Sequence, residues 1–162
     1  MHGRFDSRHA LVGLSDEVIR LNGRLRSLFA GVRRGAGLGD SELGVLNSVV
    51  EAERAPTVSQ IGRSIGQPRQ LIQRAANALV EAGMIETVPN PDHKRAMLLR
   101  ATSQGLAIKR ELDARADAIA QSVWGGCDSD AAIAATRALH DIRKQLEGQL
   151  RAADKSAKLS ED

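Results

Sequence analysis

The sequence predicts a mainly α-helical chain with one small β-hairpin, and three stretches carry that prediction. Residues Thr57 to Gly83 hold two short amphipathic segments separated by Gly66-Gln67-Pro68. Residues Met84 to Ala101 hold two short β-prone runs around the polar turn Asn90-Pro91-Asp92-His93-Lys94-Arg95. Elsewhere apolar residues recur at helical steps of three and four. The chain has 162 residues, enough for a core, and 42% are apolar although only 2% are aromatic. Abundant Ala, Leu and Arg favour helix.

The elements follow in order. Residues 1–10 are polar and expected to be disordered. A helix over 11–34 carries Leu11, Leu14, Val18, Leu21, Leu25, Leu28 and Val32, a heptad seam about 33 Å long. It must bury that seam within its own subunit or against a second copy. Gly35 to Gly39 break the chain. Ser41 to Arg54 form a second helix with Leu43, Leu46, Val49 and Val50 inward. Thr57 and Gln60 have capping-box spacing, so a helix starts there with Val58, Ile61 and Ile65 on its apolar face. Gly62 leaves room for a close crossing. Gly66 ends this helix, and Pro68 fits the first turn of the next, with Gln67 as its cap.

That next helix reaches about Ala82 and stops at Gly83. Ile72, Ala75, Ala76, Leu79 and Val80 form its apolar side; Arg69, Gln70, Gln73, Arg74 and Asn77 form the other. Met84–Val88 and Ala96–Ala101 make the hairpin. Thr102 or Ser103 caps a long helix with Leu106, Leu112, Ile119 and Val123 on one side and Trp124 packed at its end. Gly125-Gly126 stop it. Asp128 caps a last helix bearing Ile133, Leu139, Ile142, Leu146 and Leu150, and residues 153–162 are an expected disordered tail.

The polar side of the Arg69–Ala82 helix carries the chemistry. Arg, Gln and Asn pair with base edges, Arg also binds phosphate, and no acidic residue interrupts them. Two helices joined by a short turn, the second with such a face, are how helix-turn-helix proteins enter the major groove. A solvated helix face is the plainer reading. The hairpin after it ends in His93, Lys94 and Arg95, a basic tip suited to the minor groove or to phosphates, where an ordinary exposed loop is the plainer reading. Between Pro56 and Arg100 six basic residues face three acidic ones; with 23 basic and 20 acidic in all, the remainder holds seventeen of each. The whole formal charge of +3 therefore lies in this stretch.

These residues resemble the winged-helix regulators of the multiple-antibiotic-resistance (MarR) type. The matching text is Leu38-x-x-x-Glu42-Leu43-x-x-Leu46 and Thr57-Val58-Ser59-Gln60-Ile61-Gly62. It continues in Gln73-Arg74 with Leu79-Val80-Glu81-Ala82-Gly83-Met84-Ile85, in Asn90 to Ala96, and in Ala101-Thr102-x-x-Gly105. The likeness covers 38–105. Many members carry an aspartate where His93 stands, paired with the wing arginine; here Asp92 lies one place earlier. Many also carry an aspartate at the position of Asn77.

The resemblance implies a winged helix-turn-helix at 38–105 between dimerisation helices at 11–34 and 106–152. Leu14, Val18, Leu21, Leu25, Ile142 and Leu146 are then the expected dimerisation residues. It implies a homodimeric, sequence-specific transcription regulator, a repressor, whose operator is an imperfect inverted repeat. Arg69, Gln70, Gln73 and Arg74 would face the major groove, and His93, Lys94 and Arg95 the wing contacts. It also implies release by a small, often aromatic ligand. The competing reading is a winged-helix protein-interaction module without DNA binding.

Other functions find little support. His2, His9, His93 and His140 lack zinc-ligand spacing to Cys or carboxylates, and no metal or cofactor is expected. There is no Gly-rich phosphate loop and no nucleophile-and-base arrangement, so an enzyme is not expected. Cys127 is the single cysteine, which excludes a disulfide within one chain; its place before a helix is compatible with either a plain thiol or a redox-sensitive one. No membrane span and no signal-peptide core are visible, which leads to the expectation of a cytoplasmic protein.

Overall fold

A computed structural model describes residues 9–35, 37–124 and 129–159. Its elements are α1 (Ala10–Leu28), α2 (Ala30–Gly35), α3 (Asp40–Val50), α4 (Val58–Ile65), α5 (Arg69–Glu81), β1 (Ile85–Val88), β2 (Leu98–Ala101), α6 (Ser103–Trp124) and α7 (Ser129–Leu159). Residues 1–123 form one compact unit and 124–162 a second.

The core of the first unit is built by α3, α4, α5 and the hairpin. Val45, Leu46 and Val49 of α3 pack with Val58 and Ile61 of α4. Ile72, Ala75, Ala76 and Leu79 of α5, then Met84, Ile85 and Leu99, complete the cluster. Thr57 caps α4 through a complete capping box: its hydroxyl accepts from Gln60 N–H at 3.2 Å, and Gln60 Oε1 accepts from Thr57 N–H at 2.7 Å. Gly66, at φ 66°, ends α4. A Cβ on Gly62 would stand 3.0 Å from the Gln67 carbonyl oxygen, so a side chain there would require the turn after α4 to give by a few tenths of an ångström.

Helix α5 ends in a Schellman motif. Met84 N–H donates to Leu79 O and Gly83 N–H to Val80 O, both at 2.9 Å, with Gly83 at φ 68°. Thr102 then locks the start of α6 to this corner. Its Oγ1 accepts from Gly105 N–H at 3.1 Å, and its hydroxyl hydrogen faces the carbonyls of Gly83 at 2.6 Å and Met84 at 3.1 Å. Gln104 Nε2 donates to Ala82 O at 3.2 Å.

The hairpin is antiparallel, with Ile85 opposite Ala101, Glu86 opposite Arg100, Thr87 opposite Leu99 and Val88 opposite Leu98. The chain entering α4 adds a short third segment beside β2. Leu99 N–H donates to Pro56 O at 2.8 Å, and Thr57 bridges Leu98. The wing is thus fastened to the start of the helix-turn-helix as well as to its end.

Several details differ from the sequence expectations. The first helix is interrupted at Phe29, so Val32 lies in α2, where it is buried. Helix α3 starts at Asp40, with Asp40 and Glu42 favourably placed at its positive end, and stops at Val50 rather than Arg54. Val45 is fully buried, because three inward positions cover a wider stripe than the strict seam suggests. Pro68 is the N-cap of α5 rather than its first helical residue, and Gln67 does not cap it. Both strands are shorter than expected, by one residue for β1 and two for β2. Ile65, Val80, Leu106, Val123 and Trp124 are exposed, with only partial cover among the described residues. Glycine at 105 and Leu112 supply the buried side of α6 instead. Helix α7 continues to Leu159, past Ala153, because its Ala- and Lys-rich end has high helix propensity despite its polarity. Asp128, Gly125-Gly126 and Cys127 lie outside the described residues, as do residues 1–8 with His2.

Gly105 provides a stability test. A Cβ there would stand 1.9 Å from the Met84 carbonyl oxygen, whereas Gly148 in α7 has nothing within 4 Å. Gly105→Ala should cost about 2–4 kcal/mol through backbone displacement. Gly148→Ala should be neutral or stabilise by up to about 1 kcal/mol. Denaturant titration of both variants measures the contrast.

Candidate nucleic-acid interface

The buried stripe of α5 fixes what its other side presents. Ile72, Ala75, Ala76 and Leu79 face the core, and Arg69, Gln70, Gln73, Arg74 and Asn77 are all exposed. The sequence-predicted major-groove residues therefore share one accessible surface. Among the described residues, Arg69 and Arg74 make no ion pair and Gln70 no side-chain hydrogen bond. Gln73 Nε2 donates to Asn77 Oδ1 at 3.0 Å.

The electrostatics of this helix run against its own stability. The positive end of a helix dipole favours acidic residues, by about 0.3–1 kcal/mol each at an exposed site. Helix α5 has none in its first turn and begins with Arg69. The free N–H groups, the dipole and the Arg69 guanidinium add to one positive field, which suits an anionic partner such as phosphate.

The wing tip is ordered by its own polar groups. Asn90 Oδ1 accepts from Asp92 N–H at 3.0 Å, an Asx turn. His93 N–H donates to Asn90 O at 3.3 Å, and Ala96 N–H to His93 O at 3.2 Å. His93 Nδ1 accepts from Arg95 N–H at 3.3 Å. Asp92 and Arg95 form no ion pair among the described residues. The histidine at 93 acts on the backbone of Arg95, not on its guanidinium. His93, Lys94 and Arg95 are exposed, and the two cations have no carboxylate partner among the described residues.

Arg100 does not belong with them. Its Nε donates to Glu86 Oε1 at 2.8 Å, directly across the strand pair. Counting it as available charge from the sequence is therefore a correction: the pair is neutral, and the charge that remains lies at the helix and the tip. Sequence reading also missed the third segment at Pro56–Thr57 beside β2 and the Gln73–Asn77 contact. The latter has a signal, since Gln and Asn at i,i+4 on one helix face can bond.

The sequence-predicted dimerisation residues are split between the two units. In α1, Val18, Leu21 and Leu25 are exposed and Leu14 is half-buried; α1 has no buried residue at all. In α7, Ile142 is half-buried and Leu146 exposed. The described residues hold no cluster of three or more His, Cys, Asp or Glu positioned for a metal. None of the described helices is long and apolar enough to cross a membrane.

The histidine contact is testable in the absence of DNA. His93→Ala should remove an acceptor and speed hydrogen exchange of the Arg95 amide about two- to tenfold, while Asp92→Ala leaves that amide unchanged. Amide-resolved NMR exchange compares the two.

Comparison with known proteins places this geometry. The sequence model of the MarR family matches residues 36–96. An uncharacterized protein of Mycobacterium tuberculosis is 35% identical over 130 residues, spanning 76% of this chain and 90% of that protein. A MarR-family transcriptional regulator from Rhodococcus sp. RHA1 superposes with a TM-score of 0.72 at 19% identity, over 85% of this chain and 96% of its own. The structure of CouR from Rhodococcus jostii RHA1 bound to p-coumaroyl-CoA superposes at 0.68 with 19% identity, over 80% and 91%. The family match spans the helix-turn-helix and the start of the wing, and the chain belongs to the MarR family of winged-helix, DNA-binding transcription regulators.

Proposed function

We propose that this protein is a homodimeric repressor that reads an imperfect inverted repeat in duplex DNA in the cytoplasm. The observation that carries the reading is the outward face of α5: Arg69, Gln70, Gln73 and Arg74 are exposed together, with no carboxylate among them, on a helix whose opposite side is held in the core. Gln73 suits adenine and Arg74 suits guanine or phosphate. Lys94 and Arg95, steadied by His93 and Asn90, reach the minor groove or adjacent phosphates.

The dimer follows from the seam of α1. Leu11, Val18, Leu21 and Leu25 are each at least 40% exposed at heptad spacing, an arrangement that water disfavours and a second copy covers. Ile142 and Leu146 of α7 contribute to the same association. A twofold dimer sets two α5 helices on one side of the duplex, about 34 Å or 10 base pairs apart, which makes the operator an inverted repeat. Since CouR is described with p-coumaroyl-CoA, whose acyl group is aromatic, and NadR with 4-hydroxyphenylacetate, release by an aromatic compound is the regulatory mode we carry to this chain. Such a ligand acts by favouring a spacing of the two lobes that does not fit the operator.

Leu21→Glu with Leu25→Glu puts charge into the seam, at a cost of several kcal/mol per dimer on desolvation grounds. Sedimentation should show the dimer lost, and operator binding with it; a dimer of unchanged size would place the interface elsewhere. A salt series on random duplex DNA tests the reading as a whole. Wild type should lose affinity steeply with salt, and Arg95→Ala should shallow the slope by about 0.9 per phosphate contact removed, with two wings per dimer. A flat wild-type series would instead favour a protein-interaction module.

A further inference from the structure

On the outward face of α5, Gln73 is held by another side chain, whereas Arg69, Gln70 and Arg74 have no side-chain hydrogen bond among the described residues. The holder is Asn77, one turn further on, whose Oδ1 accepts from Gln73 Nε2 at 3.0 Å. Both residues are exposed, so water could satisfy each amide equally well. The contact therefore adds little to folding, and its effect is on orientation.

An amide nitrogen carries two hydrogens. With one committed to Asn77, Gln73 keeps one N–H and Oε1 as a donor–acceptor edge. That edge matches N7 and the N6 amino group of adenine. Guanine offers two acceptors at the same place, O6 and N7, and a Gln with a single free donor serves it poorly. A Gln without a partner rotates broadly about its last torsion and presents either end.

Resting on the reading of α5 as the base-contacting helix, we infer that Asn77 is a specificity-positioning residue: it holds the Gln73 amide in the orientation that selects adenine. Asn77 acts through Gln73 and need not touch the DNA.

The test uses full-length protein and a duplex obtained by selecting wild-type-bound sequences from a random duplex library, together with all single-base variants of that duplex. Asn77→Ala should reduce the preference for adenine over guanine at one base of each half-site by roughly two- to tenfold. That range lies between the worth of one exposed i,i+4 contact and that of a full bidentate pair. Asn77→Asp keeps the acceptor, so it should keep the base preference while weakening all duplexes alike through phosphate repulsion. In a Gln73→Ala background, Asn77→Ala should change nothing further at that base. Because residue 77 is exposed, the thermal midpoint of each variant should match wild type.

Full base preference in Asn77→Ala, or an effect that persists without Gln73, overturns the inference. If base choice relaxes in Gln73→Ala alone, the inference falls and the DNA-reading role stands. If wild-type protein binds no duplex, both fall.

Discussion

Burial of one side of α5 against α3 and α4 is the contact on which the rest of the first unit depends. Leu46, Ile61, Ile72 and Leu79 are essentially inaccessible, and the two alanines at 75 and 76 let the helices approach closely. A helix has only one free rotation about its axis. Once Ile72, Ala75, Ala76 and Leu79 are fixed inward, the 3.6-residue period sends Arg69, Gln70, Gln73 and Arg74 outward. Which residues α5 presents is set by core packing, while the Gln73–Asn77 contact orients one side chain within that face.

The corner after α5 extends that rigidity to the wing. The Schellman end at Gly83, the Thr102 hydroxyl on the Gly83 and Met84 carbonyls, and the Pro56–Leu99 hydrogen bond hold the hairpin at both of its attachments. Gly105 completes the corner because no side chain fits against the Met84 carbonyl. The basic tip is thereby carried on a base whose position relative to α5 is fixed by hydrogen bonds, while the tip itself is ordered only by Asn90 and His93. Such a division suits a surface that must keep its spacing yet adapt to a groove.

Charge on this surface is distributed by pairing as much as by count. Arg20, Arg26, Arg100, Lys109, Arg115 and Arg143 each have a carboxylate neighbour. These exposed pairs contribute little stability, generally about 0–1 kcal/mol each. Within those pairs the positive charge is offset. Arg69, Arg74, Lys94 and Arg95 make no such pair among the described residues; Arg24, Arg110, Arg137 and Lys144 of the helical arms make none either, so the first four are set apart by their place on the outward face of α5 and at the wing tip.

Much of this was legible in the chain itself. The Thr57–Gln60 capping box, the glycines at 66 and 83, and the inward stripe of α5 are local features. They are written in the spacing of a few residues, and local geometry alone decides them. The order of two helices and a basic-tipped hairpin carried the family. Tertiary structure decided what spacing cannot encode. It broke the first helix at Phe29, where no residue type signals a stop, and left Leu106, Val80 and Trp124 without cover. Across the hairpin it paired Arg100 with Glu86, fourteen residues away, and to β2 it joined Pro56. It gave His93, a candidate DNA contact that stays exposed, a bond to the Arg95 amide in addition. The Arg100–Glu86 pair and the Pro56–Leu99 bond depend on which distant segment lies alongside; the His93 contact, two residues long, depends on the turn the chain adopts there. A sequence determines the faces its elements offer; which face meets which neighbour is settled when the core closes and every backbone donor must find a partner.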